Sequence, residues 1–288
     1  MKDLTNRTAI VTGASQGLGA IICREFLHEG ANVVMCARDE KMLQSVASEL
    51  AASVGPGCSL SFLKTDVSSE TDVEKLVTFA VEKHGKVDIL INNAGVYGPK
   101  GLIEDVDWKE WTKAMEINLY GPVLMTRALL KHFRKNNYGK VVNLSGGGAT
   151  APLPRLSAYA ASKAAIVRLT ETFAHEVAGT GIDINAIAPG ALNTRLLDEI
   201  LEAGPEVVGE QFYERSIKQK AEGGASLDKA AKLCVYLSSS ASDGITGRLI
   251  SAVWDPWAEL QQYRKDLDKS EIYTLRRIVP ADRGATWG

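Results

Sequence analysis

The chain has 288 residues, 45% hydrophobic and 24% charged, with a net charge of −2. That balance suits a globular protein with a sizeable core and gives no basis for nucleic acid or an anionic membrane as partner. The four cysteines, Cys23, Cys36, Cys58 and Cys234, lack CxxC spacing, which argues against a zinc ribbon or a disulfide framework. No apolar run approaches the ~20 residues of a membrane span, and residues 1–7 carry no signal-peptide core; the expectation is a cytoplasmic protein.

Short apolar runs alternate with helical patterns along most of the chain. Thr8–Thr12 reads as a buried strand, and residues 13–19 lead into a helix to about Glu29. Asn32–Ala37 is a second strand, and 40–52 has helical spacing at Leu43, Val46, Ala47 and Leu50. Leu60–Lys64 is followed by a helix over 71–83, then by a fourth strand at Ile89–Asn92. A helix over 111–135 is interrupted near Gly121-Pro122; a strand at 141–144 and a helix over 157–177 follow. The pattern ends with a strand at 183–187, a helix at 227–237 and a seventh strand at 248–252.

Continuous apolar strands separated by helices imply a mostly parallel sheet covered on both faces. The right-handed crossover rule then favours a single-domain, doubly wound α/β fold of Rossmann type. Residues 1–252 form that domain and 253–288 a C-terminal extension. Segment 189–226 breaks the alternation, is rich in glycine and reads as a mobile helical segment over a site.

Thr12-Gly13-Ala14-Ser15-Gln16-Gly17-Leu18-Gly19 lies between the first strand and the first helix. Glycines there allow close approach of a pyrophosphate to a helix N-terminus, although a ligand-free tight turn would use the same residues. Tyr159 and Lys163 are one helical turn apart on one face. An ammonium beside a phenol favours the phenolate, so the pairing predicts a lowered tyrosine pKa suited to acid–base work. That spacing alone arises by chance in roughly half of chains of this composition.

The glycine loop, Asn92-Asn93-Ala94-Gly95, Asn118, Ser145, Tyr159 with Lys163, and Pro189-Gly190-Ala191-Leu192-Asn193-Thr194 come in the order of the short-chain dehydrogenase/reductase family, which residues 5–252 resemble. The resemblance implies hydride transfer between a nicotinamide cofactor and a secondary alcohol/ketone pair. Tyr159 would be the general acid or base, Lys163 would tune it and bond the nicotinamide ribose, and Ser145 would donate to the substrate oxygen. Asn118 would hold a water near the lysine. It also implies cofactor contacts at Gly13, Ser15, Gln16, Gly17, Leu18 and Gly19, at Asp66 and Val67, at Asn92, Ala94 and Gly95, and at Pro189, Gly190, Leu192 and Thr194. A homodimer or homotetramer acting on a small carbonyl or alcohol is the implied assembly. The competing reading is a dinucleotide-binding regulatory or scaffold protein without turnover.

Cofactor choice follows from charge. Where an NAD enzyme of this fold carries a carboxylate at the end of the second strand, this chain has Ala37 and then Arg38. A guanidinium suits a 2′-phosphate, so NADP(H) is expected; the alternative is NAD(H), with Asp39 on the ribose. No Asp/Glu/His cluster suggests a metal. Gly146-Gly147-Gly148 would either make room for a large substrate or loosen the loop. The tail, with Trp254, Trp257 and Trp287, has two readings as well. Either it packs apolar rings over the subunit's own surface or a neighbouring subunit's, or Trp254 or Trp257 joins Arg276 or Arg277 in a pocket for an anionic group.

Overall fold

The computed structural model describes residues 3–287. Strands β1 Thr8–Thr12, β2 Asn32–Ala37, β3 Leu60–Lys64, β4 Ile89–Asn92, β5 Gly139–Leu144, β6 Ile182–Ala188 and β7 Leu249–Ser251 form one sheet. Its order is β3-β2-β1-β4-β5-β6-β7, and every neighbouring pair is parallel. The chain winds outward from β1 to β3 and returns to β4 beside β1. That reversal opens a crevice at the C-terminal ends of the strands, where ligands of such sheets bind.

Alternate strand residues face opposite sides, and both sides are apolar. Ala9 and Val11 join one core with Ile22 and Phe26 of α1 (Gly17–His28) and Leu233 of α10 (Leu227–Ser238). Ile10 and Val34 join the other with Leu76 of α3 (Glu70–His84), Leu129 of α5 (Gly121–Asn136) and Ala174 of α6 (Ser157–Glu176). Between them, α2 (Glu40–Leu50) starts at a cap made by the Asp39 carboxylate.

The expected break near Gly121-Pro122 takes a different form. Helix α4 (Trp108–Met115) runs into α5 through a wide π turn at Glu116–Tyr120. A Cβ on Gly121 would come within 2.9 Å of Val67 Cγ2, so the glycine serves close packing. Pro122 sits in the first turn of α5, where a missing N–H is tolerated. Segment 189–226 folds into α7 (Arg195–Ala203), α8 (Pro205–Val208) and α9 (Glu210–Glu222). No helix among the described residues is long and apolar enough to cross a membrane.

One side chain ties the crevice together. The Thr12 hydroxyl accepts from the Asn93 and Ala94 N–H groups at 3.0 Å each and donates to the Ile91 carbonyl at 3.3 Å. The Asn93 amide returns bonds to the carbonyls of Thr12 (2.9 Å) and Gly13 (3.1 Å). Thr12→Val keeps the shape but strands the Ala94 N–H, whereas the Asn93 N–H keeps the Ile91 carbonyl at 3.1 Å. Urea unfolding should show a loss of about 1–3 kcal/mol, with an unchanged m-value.

Candidate active site

A cavity of about 770 Å³ runs along the C-terminal edge of the sheet from Arg38 to Trp254. At the β1 end, Gly13 and Gly17 hold φ values of +64° and +54°, a region that side chains disfavour. A Cβ on Gly19 would lie 2.3 Å from the Gly13 carbonyl oxygen. Helix α1 begins with no side-chain cap and no acidic residue in its first turn, leaving free N–H groups and the positive end of the dipole beside the cavity. Thr194 stands over Gly17, its Cγ2 3.6 Å from where a Cβ would be. This bare, roofed cradle fits the pyrophosphate of a dinucleotide.

Gly13, Ser15, Gln16, Gly17, Leu18 and Gly19 line the cavity, as do Arg38, Val67, Ala94, Gly95, Pro189, Gly190, Leu192 and Thr194. Two residues assigned to the cofactor do not. Asn92 turns into the sheet, where its amide donates to Asn143 Oδ1 at 2.8 Å. Asp66 accepts from the Ser68 N–H at 2.9 Å and its hydroxyl at 2.6 Å. Burial works to raise the Asp66 pKa, but these bonds and nearby Lys113 leave it below the usual carboxylate range.

At the β5 end, α6 brings Tyr159 and Lys163 to the cavity beside Ser145. The Lys163 ammonium donates to the Leu144 carbonyl at 2.7 Å and lies 5.4 Å from the centre of the Tyr159 ring. Ser145, buried, donates to the Lys163 carbonyl at 3.3 Å. Asn118 sits in the π turn behind them, outside the cavity lining. Its amide clamps Val96, accepting from the N–H at 2.9 Å and donating to the carbonyl at 2.8 Å. It also donates to Ser162 Oγ at 3.1 Å, and Ser162 donates to the Tyr159 carbonyl at 2.7 Å.

The expected lowering of the tyrosine pKa is not what this geometry gives. Burial, with a smaller contribution from Tyr97, pushes the Tyr159 phenol up. Burial also pulls Lys163 down to about 8. The reason is that both groups are buried, and burial penalises the phenolate and the ammonium alike. In this state the phenol is a neutral proton donor.

Two contacts escaped the sequence reading. Tyr97 packs edge-on against Tyr159, ring centres 4.7 Å apart, and burial pushes its own phenol up to about 12. Gly146 leaves room for the tyrosine, because a Cβ there would lie 2.4 Å from the Tyr159 hydroxyl and one of the two would have to shift. The three glycines therefore differ. Gly148 makes room for Ala160, whereas a Cβ on Gly147 would meet nothing within 4 Å. The Asn92–Asn143–Thr170 relay, continued at 2.8 Å from the Asn143 amide to Thr170, was also invisible, since its members are far apart in sequence.

The tail divides. Trp257 packs on Tyr236 and donates to the Ala252 carbonyl at 3.3 Å. Arg248 donates to the carbonyls of Ser270 (2.9 Å) and Ile272 (2.7 Å), and the Leu249 N–H donates to the Tyr273 carbonyl at 2.8 Å. Arg276 pairs with Asp282 at 2.7 Å. Of the four residues suggested for a pocket, Trp254 alone lines the cavity.

A dinucleotide cradle joined to a Ser–Tyr–Lys cluster defines an oxidoreductase that uses a nicotinamide cofactor. A family model described as short chain dehydrogenase matches residues 7–204. Human dehydrogenase/reductase SDR family member 4 is 38% identical over 191 residues, covering 66% of this chain and 68% of that protein. A short chain dehydrogenase of Pseudocercospora fijiensis is 37% identical over 282 residues, covering 95% of this chain and 90% of that one; that alignment necessarily takes in part of the tail. The crystal structure of levodione reductase superposes with a TM-score of 0.79 at 28% identity, covering 90% of this chain and 99% of that one. The chain belongs to the short-chain dehydrogenase/reductase family and is an NAD(P)-dependent oxidoreductase acting on CH–OH groups.

Two outcomes follow from the packing. Gly146→Ala displaces the Tyr159 hydroxyl, and misplacement on the order of 1 Å costs ~100-fold in rate; kcat should fall by about that factor while the Kd of the cofactor stays within twofold. The second concerns pH. Because the folded pKa of Lys163, about 8, lies below the unfolded value of ~10.4, the unfolded chain binds more protons between these values. The penalty is therefore full below pH 8 and fades as pH rises toward 10.4. Lys163→Met should raise the urea midpoint relative to wild type at pH 7, and the advantage should shrink by pH 10.

Proposed function

We propose that the protein transfers hydride between NADP(H) and a secondary alcohol/ketone pair, with Tyr159 as the proton donor and acceptor. The observation that carries this reading is the approach of the Tyr159 hydroxyl to Gly146, next to Ser145, at the point where the dinucleotide cradle ends. The bound nicotinamide supplies the hydride that becomes the new C–H bond in reduction, and accepts it back in oxidation. Ser145 orients the carbonyl oxygen by exchanging its bond to the Lys163 carbonyl for one to the substrate, where a hydrogen bond to developing charge favours the transition state. Tyr159 gives its proton to the same oxygen, so the ketone gains H⁻ and H⁺ and leaves as the alcohol. A phenol that burial keeps neutral is the form that can donate a proton in reduction.

Lys163 holds α6 against the end of β5 and, when released from Leu144, bonds the ribose and stabilises the phenolate left behind. Asn118 positions Val96 and, through Ser162, the start of the Tyr159 turn; water held near it returns the proton. Residues 1–252 constitute the catalytic domain, 253–288 extend it, and the working unit is a homodimer or homotetramer.

NADP(H) is favoured over NAD(H) by the charges at the β2 end. Both Arg38 and Asp39 line the cavity; Asp39 accepts from the Met42 N–H at 3.0 Å as the cap of α2, whereas the exposed Arg38 side chain has no hydrogen-bonded partner among the described residues. A free guanidinium suits a 2′-phosphate, while a capping carboxylate repels it.

Reduction of a carbonyl panel should run at least tenfold better in kcat/KM with NADPH than with NADH. Arg38→Ala should remove most of that difference through KM; a clear NADH preference in the wild type would contradict the assignment. Tyr159→Phe should lower kcat by at least 1,000-fold without weakening cofactor binding, as single-turnover kinetics and calorimetry can show.

A further inference from the structure

The reacting end of the cavity differs in character from the cofactor end. Leu153, in the loop before α6, and Leu196, Leu197 and Phe212 of the α7–α9 segment line it, with Val96 and Tyr97 opposite. Polar side chains are present there, but the protein already occupies them. Ser216 donates to the Phe212 carbonyl at 2.8 Å. The Gln219 amide nitrogen donates to the Leu192 carbonyl at 3.1 Å and to Asn193 Oδ1 at 3.2 Å. Arg195 is paired with Glu199 at 3.2 Å. Ser145 donates to the Lys163 carbonyl, so among the described residues the hydroxyls of Tyr159, Thr150 and Tyr97 are the ones left there without a protein partner.

At the rim, Trp254 is 84% exposed while lining the same cavity. Its backbone is fixed, with the N–H donating to Ser251 Oγ at 3.2 Å, and no ring of the protein stacks on it. A large aromatic face held open at the mouth of an apolar chamber is uncovered surface that a ligand can bury.

We infer that the substrate is a ring-bearing, largely hydrocarbon ketone or its secondary alcohol, clasped between the α7–α9 segment and Tyr97 with Trp254 closing over its far end, and not a sugar or polyol. This rests on the hydride-transfer reading above. A polyhydroxylated substrate would bring more hydroxyls into the chamber than its few unbonded ones, Thr150, Tyr97 and Tyr159, can pair, and each unpaired hydroxyl is penalised. Added hydroxyls are rejected by an apolar pocket to the extent of about 100-fold. The same argument fixes the role of Trp254 as a residue that selects for size and apolarity, far from the proton transfer itself.

The test compares α-tetralone, butan-2-one and D-xylulose as substrates of the full chain with NADPH and with NADH. The expected result is a kcat/KM for α-tetralone at least 100-fold above that for D-xylulose. Trp254→Ala should raise KM for α-tetralone about tenfold, while leaving KM for butan-2-one and the Kd of the cofactor within twofold. D-xylulose turned over as well as or better than α-tetralone would overturn the proposed substrate class, and a Trp254→Ala effect equal for both ketones would overturn the role of the tryptophan. If none of the three is turned over, the hydride-transfer reading loses its support, and the substrate class is then judged by calorimetric binding of the same compounds to the protein loaded with NADP⁺. Tighter binding of α-tetralone by at least tenfold supports the inference; equal or reversed binding overturns it.

Discussion

A buried amine organises this active site. Lys163 reaches from α6 to the carbonyl that ends β5, and in doing so pins the helix carrying Tyr159 to the strand carrying Ser145. Burial destabilises the charged form of such a group, and the structure accepts that cost where a leucine or methionine would pack without it. A buried amine lining a cavity is the kind of group that functional sites contain. With both groups buried, the lysine does not bring the Tyr159 phenol below its ordinary range.

The rest of the crevice keeps that couple in register with the cofactor. Thr12 and Asn93 lock the end of β1 to the end of β4, so the glycine loop and the Gly95 wall beside Lys163 move as one body. A Cβ on Gly95 would lie 3.4 Å from Asn118 Oδ1 and 3.6 Å from the Lys163 nitrogen, which shows how little slack remains. Behind them, Asn92, Asn143 and Thr170 link β4, β5 and α6 through side-chain bonds at 2.8 Å. Satisfied buried networks of this kind rigidify the scaffold on which catalytic groups are placed.

Much of this was legible in the residues. The strands announced themselves because both faces of a parallel sheet must be apolar, and runs such as Thr8–Thr12 have no other economical use. Tyr159, Lys163, Ser145 and the glycine loop stood out because they come in the order of a family pattern, and the fold brings them to one cavity. What was not legible is direction. Asn92 and Asp66 end strands that reach the crevice, yet their side chains turn to Asn143 and Ser68, and spacing alone gives no sign of that. The π turn is invisible because its apolar pattern matches that of a regular helix. Trp254 and Trp257 look equivalent in sequence but diverge, one fixed at the rim by Ser251 and the other seated on Tyr236.

The protonation state of Tyr159 is where the account is most exposed. Tyrosine labelled with carbon-13 at Cζ, observed by NMR across pH 6 to 10 in the ligand-free protein and assigned by comparison with Tyr159→Phe, reads that state directly. The account predicts a neutral phenol signal for Tyr159 throughout, with ionisation above the range of ordinary tyrosines. A Tyr159 signal that shifts to phenolate below pH 8 would contradict it, and would restore a lysine-acidified base as the resting form of the site.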